Sequence, residues 1–296
     1  MQTQAVTSNK SSTASKWLIG CGIGCGVVIL LLVFAGVGGY FFVKNIVEGF
    51  EETEAITDTL TERYGEIKDF CPDPGGAINA ERLEVFLSVR NSMESVKEAL
   101  ESSINILSDE EDKSQFREEP SPGVLTKIKT GLEIIPLIAE FYTRRNQALL
   151  DGEMGLGEYY FIYVVSYYSW LGKSPADGLE YNLMVEDEED RSVIRRRRRS
   201  ENLEERKDDV LRKLHRQILP MMHNQFAKLT GIDISPIRDP WRERLEAEIA
   251  AMEADRFRLP WQDGLPDVLE ASLEPFRVRF EAGYSKVLNA LEMALE

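Results

Sequence analysis

The chain has 296 residues, with 51 Asp and Glu against 35 Lys and Arg, giving a formal net charge of −16 and a pI near 4.8. That balance repels polyanions and excludes nucleic acid as a partner on bulk charge, while three cysteines exclude a disulfide framework. The 253 residues after Val43 are enough to bury a hydrophobic core without covalent staples.

Residues 1–16 form a short polar tail rich in Ser and Thr, with Lys10 and Lys16 as its charged side chains. From Trp17 to Val43 the chain runs 27 residues without one Asp, Glu, Lys or Arg. As a helix this run would be about 40 Å long, against a bilayer core of roughly 30 Å. It is predicted to be a single transmembrane helix. Its length exceeds a cleavable signal peptide, and Val37-x-Gly39 is a poor cleavage site, so a signal anchor is expected. Leu18-Ile19-Gly20-Cys21 fits a lipobox, but the polar tail precedes it instead of an apolar stretch. The basic tail and the acidic distal flank EGFEETEAITD predict a cytoplasmic amino terminus and an extracytoplasmic domain, periplasmic or extracellular. Removing the tail's +2 from −16 leaves −18 for residues 44–296. Gly20, Gly22, Gly24 and Gly26 crowd the start of the span and are candidates for close helix packing and self-association in the membrane.

Beyond the span the apolar residues recur three and four apart, which predicts an all-α protein whose helices pack as an antiparallel bundle. Residues 44–70 read as a helical stalk, followed by a bundle domain over 71–296. A Pro/Gly turn at Cys71–Gly76 ends the stalk, and Asn79 caps the next helix. That helix is predicted as one element through Leu83, Phe86, Leu87, Met93, Val96, Leu100, Ile104 and Leu107, ending in the acidic loop SDEEDKSQFREEP. Ser121-Pro122 starts a third helix, with Pro136 inside it as an expected kink. Three glycines punctuate before Tyr159–Leu171, an uncharged aromatic run read as a buried central helix. A charged segment then extends to Gly231, and residues 186–209 are expected to project from the bundle, with core packing resuming near Val210. Trp241, Leu245, Ile249 and Met252 mark a further helix closed by Pro260. Pro266 opens a last one, expected to run unbroken through Phe280, Tyr284, Leu291 and Leu295.

The chain carries no HExxH, GxSxG, phosphate-binding glycine loop or paired CxxC, so no catalytic residue, cofactor or metal ligand is expected. His215 and His223 fit no metal spacing and read as surface or interhelical residues. CPDPGGAINAER aligns with a calcium loop only loosely, because Arg82 stands where the main carboxylate ligand belongs. Cys71 stands alone in the outer domain and is expected to be buried. Arg195, Arg196, Arg197, Arg198 and Arg199 are candidates to bind an anionic partner, a lipid headgroup or an acidic protein. Pairing with the chain's own acids is the competing reading. The function expected is that of a non-catalytic, membrane-tethered domain that binds a protein or envelope partner. The alternatives are a ligand-binding domain with an apolar pocket near Tyr159–Trp170 and a carboxylate-based hydrolase.

Overall fold

The computed structural model describes residues 51–113, 123–178, 191–231 and 240–293, with side chains throughout except at 104–133 and 191–202. All of these belong to one compact unit, Gly49–Glu296. The Trp17–Val43 run and its glycines lie outside the described residues. Among those described, no helix is long and apolar enough to cross a membrane.

The described chain is helical throughout and folds as a bundle. Residues 51–64 form α1, which leads to a short 3-10 turn at Ile67–Asp69. Then follow α2 (Ala80–Ser92), α3 (Glu94–Lys113), α4 (Gly123–Asp151) and α5 (Leu156–Tyr163). The last of these continues as a π-helical segment, Val164–Trp170. The long α6 (Arg191–Gly231) precedes α7 (Pro240–Ala254), α8 (Asp267–Leu273), α9 (Arg277–Gly283) and α10 (Lys286–Glu292). Helix α4 packs on α2 and α3, and α6 packs on α7 and on the Ile67–Asp69 turn.

Helix α1 occupies the middle of the segment read as a stalk, and it is docked on the bundle. Leu60 is 1 % exposed, Thr53 shares a 2.7 Å hydroxyl contact with Thr143, and Asn146 donates to the Thr57 hydroxyl. The helix predicted through Leu83–Leu107 is broken once, at Met93. There the Ser92 hydroxyl donates to the Val89 carbonyl and competes with the backbone ladder. Helix α3 also runs on to Lys113, into the segment expected as an acidic loop, where Glu110, Glu111 and Lys113 are good helix formers. Pro136 is accommodated inside α4, whereas Ser121-Pro122 lies outside the described residues.

The single last helix expected from Pro266 onward is instead three helices. Pro275 sits in a 3-10 turn at Glu274–Phe276, where its missing N–H interrupts the α ladder. After Gly283, Tyr284 turns extended, with ψ 133°, and Ser285 caps α10 by accepting from the Leu288 N–H. Helix α7 likewise stops at Ala254, six residues before the proline expected to close it.

The core is centred on α5 and its π continuation. From Tyr159 to Tyr168 every residue is buried. Phe86 meets Tyr159, Tyr167 and Phe280 at ring-centre distances of 5.0, 6.3 and 5.5 Å. On α6, Leu203 is exposed, residues 204–209 are exposed or half-buried, and Val210, Leu211, Leu214 and Ile218 are buried.

Candidate binding groove and the polar cluster behind it

A groove of about 660 Å³ lies between the Phe70–Ala80 turn, the start of α2, one face of α5 and Lys228 of α6. The turn is shaped by its own sequence. The Asp73 carboxylate accepts from the Gly75 N–H at 2.7 Å, and Gly76 takes a φ of +81°, open to glycine at no steric cost. A Cβ at Gly76 would also lie 2.6 Å from the Trp241 ring. The indole N–H of Trp241 donates to the Pro74 carbonyl, Gln225 donates to that of Asp73, and the Ile78 N–H donates to Ser272. Three helices therefore hold this turn, and Asn79 caps α2 by accepting from the Glu81 N–H at 2.8 Å.

On the opposite wall, Gly157 lets α5 approach closely, since a Cβ there would lie 2.5 Å from the Ile67 carbonyl oxygen. Phe161 then reaches Phe70 at a ring-centre distance of 5.9 Å. Phe70, Ile78, Phe161 and Ile162 give the groove its apolar walls. At one end Arg82 grips Glu158 with two 2.7 Å hydrogen bonds and donates further to the Gly152 and Glu153 carbonyls. The Glu158 hydrogen bond raises the Arg82 pKa above its ordinary value. Cys71 is a free thiol here, half-buried instead of fully buried, because it sits in the turn lining the groove. Its Sγ faces the Pro72 carbonyl at 3.5 Å.

The other face of α5 belongs to a buried polar cluster. Arg90 of α2 donates to Glu292 of α10 at 2.6 Å, and Arg145 of α4 donates to the second Glu292 oxygen at 3.0 Å. All three side chains are 1 % exposed. The Tyr159 hydroxyl donates to the same carboxylate at 2.5 Å. Arg145 also donates twice to the Asn146 side chain, which ties α1 in through Thr57. One turn back on α10, Asn289 accepts from the hydroxyls of Tyr163 and Tyr168 and donates to the Pro175 and Asp177 carbonyls. These tyrosines are five apart, and the π segment, closing i→i+5, brings such a pair onto one face. Burial pushes the Tyr159, Tyr163 and Tyr168 hydroxyls well above their ordinary pKa. Burial also works against the Arg90 charge, yet Tyr159, Tyr167 and Glu292 hold its pKa well above the usual value.

The residues singled out in the sequence fall elsewhere. Arg195 to Arg199 lie on the first part of α6, with side chains outside the described residues, and Gly20, Gly22, Gly24 and Gly26 are outside them altogether. His215 is interhelical, its Nε2 2.8 Å from the Met252 carbonyl, and His223 pairs with Glu253 at the surface. Among the described residues no group of three His, Cys, Asp or Glu side chains could hold a metal. Neither the groove's ion pair nor the buried cluster was singled out from the sequence. The available signal was positional. Arg90 interrupts the apolar stripe between Phe86 and Met93, and Arg145 stands midway between the buried Phe141 and Leu149.

No family model matches the chain, and neither a curated protein nor a solved structure resembles it.

Proposed function

We propose that the chain is a non-catalytic, single-pass membrane protein whose helical domain binds a protein or envelope partner through the groove over α5. Trp17–Val43 is the signal anchor, the amino terminus is cytoplasmic, and an antiparallel bundle stands outside the cytoplasm. The observation that carries the reading is a groove built in advance of any ligand. Its turn is hydrogen-bonded from α6, α7 and α8 and its walls are aromatic and aliphatic. Such a site loses little conformational entropy on binding, which is where a rigid receptor gains affinity. The large apolar side chains exposed among the described residues are Leu203 and Val278, one on α6 and one on α9.

A second reading rests on size. A volume of about 660 Å³ lies in the range of small-molecule sites, and the Arg82–Glu158 pair at one end supplies convergent polar atoms. The apolar pocket expected near Tyr159–Trp170 would then be this groove, entered through Phe161 and Ile162.

The test uses the full chain in detergent. Ala77 and Ala80 are exposed in the groove lining, so Ala77→Trp fills the groove without entering the core. Crosslinking and pull-down from a membrane extract should recover a partner with the parent and lose it with Ala77→Trp. Recovery of the same partner at the same yield by both would remove the groove from the binding surface.

A further inference from the structure

Two non-glycine residues among those described hold a positive φ, Glu153 and Trp261. Glu153 is exposed, at the turn between α4 and α5. Trp261, at φ +56°, is 2 % exposed. A bulky side chain rarely takes that backbone form, which persists only where its surroundings over-determine it.

Glu248 of α7 supplies the constraint. Its buried carboxylate accepts from the Trp261 N–H at 2.9 Å and from Arg258 at 3.1 and 3.2 Å. Arg258 also donates to Asp263 at 2.7 Å, so one guanidinium joins residues on either side of Trp261. The Ser169 hydroxyl, from the π-helical segment, donates to the Pro260 carbonyl at 2.7 Å, and the Gly264 N–H donates back to the Trp261 carbonyl at 3.0 Å.

This backbone aims the Trp261 ring. It meets the Trp241 ring at a centre distance of 5.7 Å and an interplanar angle of 35°. Trp241 in turn touches the groove's turn at two points. Its indole N–H donates to the Pro74 carbonyl at 2.7 Å, and its ring closes on Gly76, where a Cβ would lie 2.6 Å away. A strained residue held by a buried carboxylate thus stands two contacts from the Phe70–Ala80 wall of the groove.

We propose that Trp261 is a positioning residue for the groove, a latch that Glu248 and Arg258 hold in its left-handed form so that its ring keeps Trp241 against Pro74 and Gly76. Released from Glu248, Trp261 relaxes to a negative φ, its ring leaves Trp241, and the turn loosens with it. The consequence for binding rests on the groove reading above. A partner that fits the held turn meets a wall shaped from the loop between α7 and α8, which contributes none of the described lining residues.

The experiment follows hydrogen exchange in the full chain in detergent, with nitrogen label at Trp and Gly. The reporters are the Trp241 indole N–H and the Gly76 N–H, which donates to the Asp73 carbonyl at 2.9 Å. Trp261→Gly takes the same backbone without strain but removes the ring. It should speed both reporters about tenfold, as expected for loss of a buried aromatic contact. Trp261→Phe keeps a ring and should restore slow exchange. Glu248→Gln should speed both reporters in the parent and add nothing in Trp261→Gly, because a latch without its ring holds nothing. Parent-like exchange in Trp261→Gly would overturn the proposal. So would an equal effect of Glu248→Gln in both backgrounds, the result that independent stabilisation of the fold gives. The parent alone provides a measurement that no misfolded variant can obscure. There the Trp261 N–H, the Trp241 indole and the Gly76 N–H should open together, with one denaturant dependence, and separate opening of Trp261 would overturn the latch. Exchange reads the turn alone, whereas partner recovery with Ala77→Trp reads the groove, so either idea can fail without the other.

Discussion

Helices α2 and α5 carry two arginine sites with nearly the same chemistry and different surroundings. Arg82 meets Glu158 with two 2.7 Å bonds, in fork-to-fork geometry, with side chains 28 % and 18 % exposed. Eight residues along α2, Arg90 meets Glu292 through one 2.6 Å bond, and both are 1 % exposed. The better-formed pair is the less consequential one for stability. Water still screens Arg82 and solvates either partner if the other is lost, whereas Arg90 and Arg145 have no solvent to turn to. Burial, more than hydrogen-bond geometry, sets what each site contributes. One site can therefore border the groove while the other locks the fold.

The largest expected effect is at the buried site. Glu292→Gln keeps the side chain's shape but leaves two guanidiniums without a counter-charge, and it should cost about 3–5 kcal/mol by denaturant unfolding of the full chain. A cost under about 1 kcal/mol would erase the contrast between the sites. The groove pair should respond far less. Glu158→Gln should cost about 1 kcal/mol, part of it recovered in high salt, because solvent takes over the exposed side of Arg82. A loss as large as that of Glu292→Gln would show that the turn and α5 depend on this ion pair.

The smallest effect concerns the fully solvated pairs. Arg279 and Arg277 hold the carboxyls of Glu84 and Glu274 below their ordinary pKa through hydrogen bonds. A folded-state pKa below the unfolded one adds stability that is complete above the ordinary carboxylate range. It is lost as pH falls through the lowered value. The difference in melting midpoint between the parent and a Glu84→Gln, Glu274→Gln variant should thus be small at neutral pH and vanish on acidification. A difference that grew at low pH would reverse the sign assigned to these pairs.

Much of the local architecture follows from the sequence by itself. The three- and four-residue spacing makes the described chain helical, Cys71–Gly76 makes a turn, Asn79 caps α2, and the aromatic run from Tyr159 is a buried helix. Each of these is decided by neighbours within one or two turns, through backbone sterics, side-chain caps or a continuous apolar stripe. The breaks at Met93 and Tyr284 were less legible, because a Ser92 back-bond and an extended Tyr284 leave the apolar period intact on either side. Only the tertiary structure decided the cluster. Arg90 is 202 residues from Glu292 and Arg145 is 147 from it, and each taken alone is a charged residue whose default place is in water. The break after Gly283 turns α10 so that Asn289 and Glu292 face inward together. Charge can be buried there because partners from three helices converge on one carboxylate of a fourth, a condition that no local stretch of sequence encodes.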